Sequence, residues 1–113
     1  MSYDVSLWKD NKVVNVPLHE EGGTYAVGGI NTADLNITFN YANQYAKHNF
    51  SIKDLDNQFA DNMIEIMNNI VLALGTVRDE DYWKSTPGNA GYALNILLGW
   101  ARENPDAMFR VSY

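Results

Sequence analysis

An α+β fold, with a small antiparallel sheet of about four to five strands packed against two amphipathic helices, is predicted by three features of the 113-residue sequence. Residues 35–41 repeat with period two, apolar residues from Leu55 to Leu74 recur at three- and four-residue spacing, and Thr86-Pro87 is a helix start. No repeat, linker or low-complexity stretch interrupts the chain, so residues 1–113 read as one domain.

The elements follow in order. Tyr3, Val5 and Leu7 alternate with Asp4, Ser6 and Trp8, and a second β-branched run at Val13, Val14 and Val16 follows Asp10-Asn11, which predicts a hairpin. Thr24 to Val27 forms a short strand between two Gly-Gly pairs. In residues 35–41, Leu35, Ile37, Phe39 and Tyr41 face one way and Asn36, Thr38 and Asn40 the other. From Ser51 the period becomes helical, with Leu55, Phe59, Met63, Met67, Ile70 and Leu74 on one face and Gly75 as the stop. Ser51 with Asp54 resembles a capping box. A polar loop over residues 76–85 leads to Thr86 as N-cap and Pro87 at the first helical position. That second helix runs to about Glu103, burying Ala93, Ile96, Leu97, Trp100 and Ala101, and Met108 to Val111 returns as a strand.

Composition narrows the function. A net charge of −6 argues against a protein that coats DNA or RNA, since such surfaces neutralise phosphates with lysine and arginine. It leaves room for a small phosphorylated ligand, because a helix N-terminus and one or two cations can hold one. The absence of cysteine removes disulfides, thiolate metal sites and a cysteine nucleophile. The start of the chain has no basic and apolar leader, and no apolar run reaches membrane-span length, so a cytoplasmic protein with no membrane partner is expected.

Three groups of residues could line a site. Asn36, Thr38 and Asn40 stand in a row of hydrogen-bonding groups, and asparagine is depleted in strands, so two in the most regular strand are a local cost of the kind found at functional sites. The competing reading is a solvated sheet face. Thr86, Gly88 and Asn89 open the second helix, where free N–H groups and a glycine could hold an anion; the alternative is a well-capped, closely packed helix. Tyr82 and Trp83 precede that helix and could stack a base, or else serve packing or an oligomer contact, with Arg78 and Lys84 as nearby cations. His19 and His48 lack metal-ligand partners at helical or strand spacing, and Asp79-Glu80-Asp81 lacks the pattern of a calcium loop, so no metal or cofactor is expected. No nucleophile motif supports an enzyme.

Gly23-Thr24-Tyr25, then Leu35-Asn36-Ile37-Thr38-Phe39-Asn40-Tyr41, then Tyr82-Trp83 followed by Thr86-Pro87-Gly88-Asn89-Ala90, together resemble a set of small uncharacterised proteins of tailed phages and prophage-carrying bacteria. The likeness spans most of the chain. Those proteins carry Asn-Ile-Thr-Tyr-Asn-Tyr in the strand, so Phe39 departs by one hydroxyl. The resemblance implies a phage setting, in which small proteins counter host defence by binding a host protein or sequestering a nucleotide messenger.

These readings converge on a non-enzymatic domain enclosing a small polar, nucleotide-like ligand in the host cytoplasm, with homo-oligomerisation closing the pocket. Asn36, Thr38 and Asn40 would hydrogen-bond it, Tyr82 and Trp83 stack on it, Thr86, Gly88 and Asn89 hold phosphate, and Arg78 or Lys84 balance charge. The alternatives are an acidic inhibitor of a host protein and a small hydrolase of the same ligand class.

Overall fold

Strand β1 (Ser2–Lys9) is the axis of the main sheet in the computed structural model, which describes residues 1–20 and 29–113. Its side chains alternate between two unlike environments: Tyr3, Val5 and Leu7 are buried, whereas Asp4 is exposed and Ser6 and Trp8 are half-buried. Asp10 and Asn11 both take positive φ (53° and 63°) and return the chain as β2 (Lys12–Val13). Two successive positive φ values suit the right-handed twist of a tight hairpin, and Asp and Asn tolerate them best after glycine.

The expected second strand is divided. Val14 donates to the Leu7 carbonyl (2.9 Å), Ala33 to the Val14 carbonyl (3.0 Å), and Leu7 to the Ala33 carbonyl (3.1 Å). At this three-way junction, β3 (Asn15–Glu20) leaves β1 and pairs with β4 (Gly29–Thr32) as a separate two-stranded sheet. The strand expected at residues 24–27 lies outside the described residues. β5 (Asp34–Thr38) then runs antiparallel to the first part of β1, and β6 (Met108–Ser112) lines the opposite edge of β1. The described residues thus form sheets of four and two strands, where one sheet of four to five was expected.

The strand predicted over residues 35–41 stops at Thr38. The Thr38 hydroxyl accepts from the Asn40 N–H (3.2 Å) and turns residues 39–41 into a 3₁₀ helix, which runs into α1 (Ala42–Ala46), a helix that the periodicity of the sequence does not predict. Side-chain capping competes with the ladder here and wins.

The long helix also begins later than its apolar period suggests. Ser51 and Asp54 do form a capping box, but on a 3₁₀ turn over residues 52–55. Asn57 then takes φ 62° and donates to the Phe109 carbonyl (2.9 Å), while Phe109 donates to Gln58 (2.9 Å). Pairing with β6 therefore overrides the helical period, and α2 (Ala60–Leu74) starts five residues past Leu55. Phe59, expected on the apolar face, precedes the helix and is 51% exposed. The same pairing covers the outer edge of β6, a position that would otherwise invite association.

The last helix, α3 (Pro87–Glu103), matches expectation: the Thr86 hydroxyl accepts from Asn89 N–H (3.1 Å), and Pro87 occupies the first turn. Ala93, Leu97, Trp100 and Ala101 are buried, as are Leu94 and Leu98, while Ile96 is only partly so. α2 and α3 pack on each other, and a single core joins them to the inner face of the main sheet. No helix among the described residues is long and apolar enough to cross a membrane.

Candidate functional site

The segment between α2 and α3 has no regular structure, yet side chains from two directions hold it. From below comes Asn89, fully buried in the first turn of α3. Its Oδ1 accepts from Asp79 N–H (2.9 Å), and its Nδ2 donates to the carbonyls of Asp81 (3.1 Å) and Lys84 (2.9 Å). From the side comes the 3₁₀ turn and α1. Asn40 Nδ2 donates to the Trp83 carbonyl (2.8 Å), the Tyr41 hydroxyl to the Tyr82 carbonyl, and Gln44 Nε2 to the Ser85 carbonyl (3.0 Å). The buried Tyr45 hydroxyl donates to the Ala90 carbonyl (2.8 Å), and burial pushes its pKa well above the ordinary value.

This anchoring presents Trp83 on a ledge. Trp83 is 51% exposed and its ring rests on Tyr82, with centroids 4.5 Å apart and planes tilted by 38°. Phe39, Asn40, Ala42, Asn43 and Ser85 complete a shallow recess of about 500 Å³ beside it. A hydrogen bond to the main chain fixes the Asn40 amide. Asn40 faces a carbonyl, which can only accept, so its Nδ2 points inward and Oδ1 remains an acceptor. Ser85 Oγ accepts from Gln44 Nε2 (3.4 Å) and donates to Asn43 Oδ1 (2.5 Å); because a hydroxyl also accepts, the exposed Asn43 amide can turn either its nitrogen or its oxygen outward.

Of the residues singled out in the sequence, the fold gathers Asn40, Tyr82 and Trp83 on this ledge. Lys84 stands next to them, loosely paired with Asp79 at 3.9 Å. Arg78 lies over the ring of Tyr92 instead, 4.4 Å from its centroid. Thr38 is buried as the cap of the 3₁₀ turn, and Asn36 lies on β5, donating to Ser2 Oγ (2.6 Å) and Asp4 Oδ1 (2.9 Å). Thr86 caps α3, and Asn89 is occupied by the loop backbone. Gly88 is explained by packing: a Cβ there would sit 1.7 Å from the Val77 carbonyl oxygen, and one on Gly91 would sit 1.8 Å from that of Gly75. The start of the α2–α3 connection therefore occupies the face of α3 that the sequence had offered to an anion.

A larger recess, about 750 Å³, lies on the outer face of the main sheet. Asp4, Ser6, Trp8, Asp34 and Arg110 line it together with Asn36. Sequence reasoning noted the alternation that exposes the β1 residues but drew only a hairpin from it. Their convergence depends on β5 and β6 flanking β1, which no local pattern encodes.

Among the described residues, no group of three His, Asp or Glu side chains could hold a metal ion. No protein-family model, curated protein or solved structure matches the chain.

Proposed function

We propose that the protein is a non-enzymatic binding domain that sequesters a small nucleotide-like ligand by seating its base on the Trp83 ledge. One observation carries this reading: half-exposed Trp83 lies in the same recess as Asn40, whose amide is oriented with Oδ1 left as an acceptor, and the exposed amide of Asn43, which can supply a donor. A flat heterocycle with adjacent donor and acceptor atoms on its edge complements that arrangement, and stacking on an aromatic ring contributes about 1–3 kcal/mol per base. Lys84, next to Trp83 in the chain, is a cation for a phosphate, but the α3 N-terminus is taken up by packing, so base and sugar carry most of the affinity. The phage setting that the sequence resembles gives such binding a purpose, the removal of a host defence signal.

Isothermal titration with nucleosides and their monophosphates tests the reading. The wild type binds at least one base class, and Trp83→Ala and Asn43→Ala each weaken binding. Ligand recovered intact by mass supports sequestration, and altered ligand speaks for a hydrolase.

One observation favours a second reading, an inhibitor seated on a host protein. Val77 (85% exposed) and Trp83 lie on the same connection as Asp79, Glu80 and Asp81, and tryptophan is a common interface anchor. A nucleotide titration without heat, combined with Trp83-dependent capture of one basic host protein, selects it.

A further inference from the structure

The outer face of the main sheet carries a second polar recess, separate from the ledge and independent of the reading given to it. The antiparallel registers set its side chains in transverse rows. Asp34, Ser6 and Arg110 stand side by side across β5, β1 and β6, and Asn36, Asp4 and Ser112 form the next row. Trp8 closes the end, held in one orientation by donation from its Nε1 to Ser6 Oγ (2.7 Å). The Arg110 guanidinium lies over that indole, 5.6 Å from the ring centroid. A recess of about 380 Å³, lined by Trp8, Phe59, Asp106 and Arg110 among others, continues on the other side of this pair. From Asp4 to Asp10 the chain advances roughly 20 Å, which suits an oligomer better than a single small molecule.

Charge decides among ligand classes. Asp4 and Asp34 line the larger recess, the protein carries a net charge of −6, Arg110 is the one cation lining that recess among the described residues, and Lys9 in the continuation is paired with Asp106 at 2.5 Å, which disfavours a phosphate or nucleic acid chain. A polyamine or basic peptide would meet Arg110 between the carboxylates and the indole. In the larger recess an apolar chain would find one large apolar side chain, Trp8, with Phe59 and Met108 only in its continuation, because Val5, Leu35 and Val111 are buried on the inner face. What fits is a neutral molecule with a ring of C–H groups to lie on the indole and many hydroxyls. Those hydroxyls can donate to Asp4 and Asp34, accept from Arg110, and do either with Ser6 and Ser112.

We infer that the outer sheet face binds a neutral oligosaccharide, with Trp8 as the stacking platform and Asp4, Asp34 and Arg110 as its hydrogen-bonding partners.

The test is titration of the whole protein with four neutral hexasaccharides (maltohexaose, cellohexaose, laminarihexaose and chitohexaose), alongside a uronic-acid hexamer, spermidine and a polyphosphate. Binding to at least one neutral hexamer is expected, weakened about tenfold or more by Trp8→Ala, since loss of an aromatic contact of about 1.4 kcal/mol is a factor of ten. Asp34→Ala, on an exposed strand position, should weaken it several-fold with the fold intact by circular dichroism, and Trp83→Ala should leave it unchanged. Binding confined to the charged probes, no binding to any neutral hexamer, or binding that survives both Trp8→Ala and Asp34→Ala would overturn the assignment. Because Trp83 and Trp8 report on different faces, failure here leaves the ledge reading standing, and the reverse also holds.

Discussion

Asn40 Nδ2 donates to the main-chain carbonyl of Trp83 across 2.8 Å, joining two segments 43 residues apart. The bond both holds the loop that carries the indole and orients the Asn40 amide, leaving its oxygen as an acceptor at the ledge. Asn40→Ala removes both effects. Because the site is exposed, the stability loss is about 0.5–1.5 kcal/mol, read from urea unfolding, while ligand affinity falls more than that figure alone implies.

Asn89 carries a heavier load. All of its amide hydrogen bonds go to the backbone of Asp79, Asp81 and Lys84, and it is wholly buried. Asn89→Ala strands those groups and costs about 2–4 kcal/mol in urea unfolding. Asn89→Asp keeps the acceptor, loses both donors and buries a charge, so it should rescue little.

Three glycines of α3 separate packing from propensity. Gly88→Ala and Gly91→Ala drive a methyl into the carbonyls of Val77 and Gly75, main-chain atoms that cannot swing aside, and each should cost about 1–3 kcal/mol, towards the upper end. A methyl on Gly99 would meet nothing within 4 Å, and the residue is exposed, so Gly99→Ala should stabilise by about 0.5–1 kcal/mol. Thermal melting of the three variants checks the contrast.

Tyr45 gives a pH signature. Its pKa is raised chiefly by burial, with Tyr41 and Tyr3 adding to it. The unfolded chain releases this proton once pH passes the ordinary tyrosine value of about 10, while the folded chain retains it. The contribution is therefore fully present below that pH and is lost as pH rises from there towards the folded value. Urea midpoints from pH 8 to 11 should fall along this limb, and Tyr45→Phe should flatten it. At neutral pH the same change costs about 1 kcal/mol for the lost bond to the Ala90 carbonyl.

Local signals carried much of the fold into view. The Asp10-Asn11 turn, the Thr86-Pro87 start of α3 and the terminal strand rest on chemistry within a few residues, and each is present. What local pattern missed was decided across the chain. Residues 56–58 follow a helical period but pair with β6, and Val14 ends a strand because Leu7 and Ala33 meet there. At the ledge, the segments around Asn40-Tyr41 and Tyr82-Trp83 touch in space, a contact across more than forty residues that no local pattern encodes. Gly88 and Asn89 were visible as unusual, but their reason, the connection that lies on α3, required the packing of two helices.

The most direct test of the ledge follows the three tryptophan indole N–H signals and the asparagine side-chain amides by ¹H–¹⁵N correlation spectra as nucleosides and their monophosphates are added. Movement of the Trp83 indole with the Asn40 and Asn43 amides, similar for a nucleoside and its monophosphate while Trp8 and Trp100 stay still, is the predicted result. An unmoved Trp83 at millimolar nucleoside, or movement confined to Trp8, would contradict the assignment.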